Sequence, residues 1–196
     1  MDDLTVRIDG FHHWIDDAIA NVPVTDPAAI AAIFGAIPPG SSATLRQNVD
    51  HARVAGVQAG IDWQPGGRWD IGLDLIATST RFTSSPRQPL LEGKHFPLAP
   101  EFRAIADATF RPGDRWSMFG GIEYGASRFD DAFATRELGD YTTLRLGASW
   151  QATETLSLHA RVENLLDEDI PTALASDGTR SYGQPRAFWL TAEWNF

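Results

Sequence analysis

The chain has 196 residues, is 43% hydrophobic and 21% charged, and carries a net charge of −10, enough chain to bury a core as one domain. The acidic balance argues against a nucleic-acid surface, which needs clustered Lys and Arg. The absence of cysteine excludes a disulfide framework and any Cys-based metal site.

The first residues, Met1-Asp2-Asp3-Leu4, show neither the basic nor the apolar region of a signal peptide. The expectation is a cytosolic protein or an exported polypeptide of which this is not the whole. No apolar run is long enough for a membrane-spanning helix. Barrel strands are short and alternating, so that leaves a β-type membrane protein open.

In chain order, Leu4, Val6 and Ile8 alternate with polar residues, predicting a first strand that runs on to about Ile19. Pro23 to Ser42 reads as a long connection. Within it Asp26-Pro27 is a cap followed by a first-turn proline, and Ile30, Ile33, Phe34 and Ile37 have helical spacing. The spacing predicts a short amphipathic helix packed on the barrel mouth and ended by Pro38-Pro39-Gly40.

A strand returns from Thr44 to Gln64, with Val57, Ala59, Ile61 and Trp63 on one face. Pro65-Gly66-Gly67 turns the chain into a strand presenting Trp69, Ile71, Leu73, Leu75 and Ala77. A polar connection, Ser84–His95, precedes a strand read from Leu98 through Phe102 to Phe110. After Pro112-Gly113-Asp114 come Trp116, Met118, Gly120, Ile122 and Tyr124. A polar loop, Asp130–Asp140, leads to Leu144, Leu146, Ala148 and Trp150, then a turn near Thr153-Glu154, then Leu156, Leu158, Ala160 and Val162. The loop Asp167–Tyr182 leads to a final strand in which Phe188, Leu190, Ala192, Trp194 and Phe196 share a face.

The pattern is all-β: an antiparallel up-and-down meander of about eight strands, joined alternately by short and long connections. Trp63, Trp69, Phe110, Trp116 and Trp150 flank the short turns on the apolar face, with Phe196 at the same level. They predict a belt at a membrane–water boundary. The opposite face carries Asp62, Asp70, Asp74, Arg103, Asp107, Glu123, Arg145, His159, Arg161, Glu163 and Glu193. Charges at that density must face water, as in the lumen of a transmembrane β-barrel. Short turns then lie on the periplasmic side and long loops outside.

Val162-Glu-Asn-Leu-Leu-Asp167, followed by Gly183-Gln-Pro-Arg186 and a strand ending in Phe196, resembles the carboxyl end of TonB-dependent outer-membrane receptors. Asn48 to Val57, with Ala52 and Gly56 at the family spacing, is similar to a stretch upstream in those receptors. Gln58 here stands where that family usually has Glu. Phe11 to Ile19 resembles the strand before it. The motif residues Asn48, Gly56, Asn164, Leu165, Asp167, Gly183, Pro185, Arg186 and Phe196 read as structural, ending strands and closing the barrel.

The resemblance implies a receptor for a nutrient chelate such as a ferric siderophore, imported with energy from the TonB complex. It implies a barrel of 22 strands and a plug, of which this chain supplies the carboxyl-terminal portion, residues 1–196, without plug or TonB box. The partners it implies are outer-membrane lipid, the remaining barrel and plug, and the barrel-assembly machinery through the last strand. An open partial barrel is favoured over a closed small one. Such a piece is not expected to transport alone. The alternatives are an autonomous eight-stranded outer-membrane protein with adhesive or scaffolding loops, and a soluble ligand-binding barrel.

No nucleophile elbow, phosphate loop or H-E-x-x-H motif occurs, so neither an enzyme nor a cofactor is expected. His12 and His13 are adjacent and, on a strand, point to opposite faces. His51, His95 and His159 are isolated. For ligand contact the loop cations Arg87, Lys94, Arg136 and Arg180 are the candidates, with simple solvation as the plainer reading.

Overall fold

The computed structural model describes residues 3–24, 26–38, 43–49 and 51–196. The elements in chain order are β1 (Asp3–Asp16), β2 (Ile19–Val24), α1 (Pro27–Phe34), β3 (Ala43–Asn48), β4 (His51–Gln64), β5 (Trp69–Ser84), β6 (Phe102–Gly113) and β7 (Trp116–Gly125). There follow β8 (Arg128–Phe129), β9 (Glu137–Leu138), β10 (Tyr141–Gln151), β11 (Leu156–Glu163), β12 (Pro171–Leu174), β13 (Arg180–Tyr182) and β14 (Ala187–Trp194).

Eight of these strands make one antiparallel sheet in the order β1-β4-β5-β6-β7-β10-β11-β14. Each is hydrogen-bonded to its predecessor in that order, so the sheet is an up-and-down meander. It does not close: β1 and β14 are its two edges. The remaining strands form three small ribbons, β2–β3, β8–β9 and β12–β13, inside long connections.

The alternation of the sequence becomes two continuous faces because the register is unbroken along most pairs. Leu4 faces Trp63 and Trp63 faces Ile71; Trp69 faces Phe110, which faces Met118; Trp116 faces Trp150. The apolar face is the exposed one, with Leu4, Val6, Ile8, Val57, Trp63, Trp69, Trp116 and Leu190 all open to the surroundings. A water-soluble sheet of this size would bury that face; here it is the outer wall. Trp116 stacks on Trp150 at 5.4 Å and 11°, and Trp69 on Phe110 at 4.4 Å. The belt at the short-turn end thus contains two stacked pairs.

The inner face is laced by charge pairs: Arg7 with Asp62, Arg111 with Asp70, Arg103 with Glu123, and Arg161 with Glu163. Glycines make room for large inner side chains. A Cβ on Gly147 would lie 2.3 Å from the Phe119 ring and 2.8 Å from the Ala160 carbonyl oxygen, and one on Gly56 would lie 2.6 Å from the Phe11 ring. Trp189, in the polar set of the last strand, lies on this face with Arg161 over its ring at 5.2 Å.

Several boundaries differ from the sequence expectation. The first strand stops at Asp16, and Ile19–Val24 turns off to pair with Ala43–Asn48. The expected strand from Thr44 to Gln64 is therefore two strands in two sheets. The strand read from Leu98 begins at Phe102, since Leu98 has φ 60°, a conformation no strand accommodates. Asn195 and Phe196 lie beyond β14.

Helix α1 forms as expected at Asp26, whose carboxylate accepts from the Ala28 N–H at 3.0 Å. It ends at Phe34 because Gly35 takes φ 72°. Ile37 therefore lies outside the helix; no α1 side chain is fully buried, and Ala29 and Ile30 are half-buried. Pro39 and Gly40, part of the expected stop, and Ser42 lie outside the described residues.

Candidate functional site

The buried core of the described residues is at the long-loop end of the sheet. Val22, Val49, Ala52, Phe82, Leu91 and Ala132 pack together, with Ile15, Ala18, Phe96 and Phe133 against them. Val22 comes from β2 and Val49 from just before β4, Ala52 and Phe82 from the loop ends of β4 and β5, and Leu91 and Ala132 from the β5–β6 and β7–β10 connections. Two loops that read as polar, Ser84–His95 and Asp130–Asp140, each contribute an apolar side chain to this cluster, and the connection between β1 and β4 adds Val22 and Val49. The fourth long connection is tied on where the Arg128 guanidinium donates to the Pro171 carbonyl at 2.7 Å.

Beside this cluster opens a cavity of about 610 Å³, lined by Ile15, Ala18, Phe82, Phe96, Leu98, Asp130, Asp131 and Arg136 among others. A second hollow, of about 470 Å³, lies at the short-turn end between Arg68, Arg111, Ser149 and His159. The first has a constructed wall, which makes it the candidate site. Phe82 and Phe96 form an aromatic side, their centroids 4.9 Å apart.

Asp131 builds the polar side. It is 3% exposed, and its carboxylate accepts from the N–H groups of Phe133, Thr135 and Arg136 and from the Thr135 hydroxyl, at 2.7–3.2 Å. Burial pushes its pKa up. The N–H groups of Arg136 and Thr135, the Thr135 hydroxyl and the nearby Arg136 charge more than offset that, leaving it below the ordinary carboxylate value. The loop so wrapped holds Arg136 against Asp130 at 3.3 Å, and the Arg136 Nε is buried with no acceptor among the described residues.

Of the four candidate loop cations, Arg136 lines this cavity. Arg87 lies exposed in the turn after Ser85, Arg180 is exposed on β13, and Lys94 is half-buried with its carbonyl bonded to the Phe82 N–H. The structure does not gather them. Asp131 escapes sequence reading because a loop aspartate is normally solvated. The available signal is Asp131 ahead of Ala132-Phe133-Ala134, an apolar run that a merely solvated loop would not carry.

The motif residues near the carboxyl end form a bracket between β11 and β14. Asn164 is 5% exposed, with φ 48°. Its amide donates to the Glu168 and Gln184 carbonyls at 2.9 and 3.1 Å, and its oxygen accepts from the Glu168 N–H at 3.0 Å. The Leu165 N–H donates to the Leu144 carbonyl. Asp167 accepts from the Arg186 N–H at 3.0 Å, and the Arg186 guanidinium lies 3.4 Å from its second oxygen. Gly183 donates its N–H to the Ile170 carbonyl, where a Cβ would lie 3.2 Å from the Ile170 side chain. Pro185 stands just before β14, where a missing N–H removes no ladder bond. Asn48 donates to Asp17 across the neck of the β2–β3 ribbon at 3.0 Å.

Residues 1–165 match the family model described as TonB dependent receptor-like, beta-barrel. The chain is 34% identical over 83 residues to the vitamin B12 transporter BtuB of Vibrio vulnificus, an alignment covering 42% of this chain and 13% of that protein. It is 28% identical over 143 residues to the pesticin receptor of Yersinia enterocolitica, covering 70% and 20% respectively. Among solved structures, the ferric yersiniabactin uptake receptor FyuA of Yersinia pestis superposes with a TM-score of 0.76 at 17% identity. That match covers 99% of this chain and 28% of the receptor. The alignments thus span a fifth or less of these two curated relatives.

Proposed function

The chain belongs to the TonB-dependent receptor β-barrel family, whose members are outer-membrane barrels of Gram-negative bacteria, and we propose that it forms part of a receptor's wall and extracellular mouth. In this reading the receptor takes up a nutrient chelate such as a ferric siderophore. The observation that carries it is the open eight-stranded sheet, apolar outside and charged inside, with bare strand edges at β1 and β14. Backbone groups on a bare edge have no water to bond in hydrocarbon, so both edges require further strands. The plug and TonB complex act through parts of the receptor outside this chain. The barrel-assembly machinery reads the last strand.

The cavity fits such a ligand in kind. Phe82 and Phe96 offer apolar contact, and Arg136 brings a positive charge to the wall for a chelate's anionic oxygens. Two of the names support the same class, one being a vitamin B12 transporter and the other a ferric yersiniabactin uptake receptor.

The test is expression with an export signal in a strain lacking its own receptors. Protease accessibility of the loop around Arg87 on intact cells checks arrival at the surface. The exported chain should not restore uptake of ferric chelates or cobalamin. Uptake by the chain alone would overturn the partial-wall reading.

A further inference from the structure

The apolar outer face ends upward in two arginines. On β4 the outward residues run Trp63, Ile61, Ala59, Val57, Ala55, Arg53, and on β5 they run Trp69 through Leu75 and Ala77 to Ser79 and Arg81. Arg53 and Arg81 are direct partners across the two strands. From Trp63 to Arg53 the strand climbs about 33 Å at ~3.3 Å per residue, and a tilt of about 40° leaves roughly 25 Å along the barrel axis. That is the height of the apolar band, so the pair sits at the extracellular headgroup level. Its neighbour on the other side, Trp14, faces Arg53 from β1, is 74% exposed and stacks on His12 at 3.9 Å. An outward Trp at this height marks the second interface, opposite the short-turn belt.

Like charges directly opposite on a sheet repel, and no carboxylate among the described residues is paired with either arginine. Arg53 has no ion-pair or hydrogen-bond partner among the described residues, and Arg81 donates only to the Gly93 carbonyl, at 2.8 Å. The carboxylate on the same outward rim, Asp16, is bonded to His51 at 2.8 Å. Strand pairing brings both cations to one rim, where the charge of a phosphate bound by both would turn the repulsion into attraction.

We propose that Arg53 and Arg81 bind the phosphate of a lipid headgroup in the extracellular leaflet. A lipid is favoured over a free anion because the pair caps the apolar column Ala55, Val57 and Ala77. A lipid whose phosphate sits between the arginines lays its acyl chains along that column. The site lies outside the barrel, on the face away from the ligand cavity.

The test uses the full chain folded in dodecylmaltoside micelles, with β-sheet circular dichroism as the folding check. It is titrated with fluorescent lipid A carrying both phosphates, and with the same lipid dephosphorylated. The phosphorylated form should bind at least about tenfold more tightly. Arg53→Gln with Arg81→Gln should weaken that binding about 30-fold, given the usual contribution of each near-surface cation. Binding of the dephosphorylated lipid should not change, and Arg87→Gln should affect neither. The two single variants should fall between, which keeps the test decisive if the double variant misfolds.

Equal binding of the two lipids, or an unchanged double variant, overturns the proposal. So does displacement of lipid by inorganic phosphate at equal concentration, which would assign the pair to a free anion. The proposal rests on the outward face meeting lipid, and quenching of the belt tryptophans by brominated lipid tests that premise separately. Quenching without phosphate discrimination overturns the headgroup site alone; absent quenching overturns both.

Discussion

Replacing Asn164 tests whether the bracket between β11 and β14 holds the end of the sheet together. The side chain makes three hydrogen bonds from a buried position, two as donor and one as acceptor. At about 1 kcal/mol net for each, Asn164→Ala loses about 3 kcal/mol. The residue also sits at φ 48°, where a Cβ without a compensating polar group adds about 1 kcal/mol. Asn164→Ala should therefore cost about 4 kcal/mol. Asn164→Gly, which loses the bonds but not the backbone fit, should cost about 3 kcal/mol. Urea unfolding in detergent micelles, followed by tryptophan fluorescence, measures both. A cost for Ala within about 1 kcal/mol of wild type would refute the bracket. A Gly variant no more stable than Ala would refute the backbone part of the argument.

Gly147→Ala should destabilise by about 2 kcal/mol, since its Cβ meets both the Phe119 ring and the Ala160 carbonyl; Gly139→Ala, with nothing within 4 Å, should stay within about 0.5 kcal/mol. Equal costs in the same unfolding assay would contradict the packing described. The lowered pKa of Asp131 predicts the acid response of the loops. Its stabilisation is complete above the unfolded carboxylate value of about 3.9 and is lost as pH falls through the lower folded value. Hydrogen exchange in residues 130–136 should accelerate in that range, and Asp131→Asn should abolish the dependence; a variant with the same acid profile would remove Asp131 from the explanation. Single-tryptophan variants in vesicles should show Trp116 quenched by brominated lipid and Trp189 protected, because they occupy opposite faces. Comparable quenching of the two would reverse the faces.

The membrane architecture was legible in the residues themselves. A period of two is local: each outward Val, Leu or Trp fixes its face through its own neighbours, and the short turns at Pro65-Gly66-Gly67 and Pro112-Gly113 are local too. The sequence order of the strands therefore became their spatial order, and the register brought Trp116 onto Trp150 and Trp69 onto Phe110. The loop end followed a different rule. Ile19–Val24 bonds to Ala43–Asn48 across a long stretch of chain, and Val22, Leu91 and Ala132 form a cluster only when three connections fold onto one another.

No local pattern announces such a contact. Arg136 was visible as a loop cation, but its selection from among Arg87, Lys94 and Arg180 depended on Asp131, whose role exists only once its carboxylate has gathered four donors. The pairing of Arg53 with Arg81 was likewise invisible in either strand alone. Alternation determines which face a residue occupies. Which residues share a height is decided by register, and which loops share a core is decided by packing between segments distant in the chain.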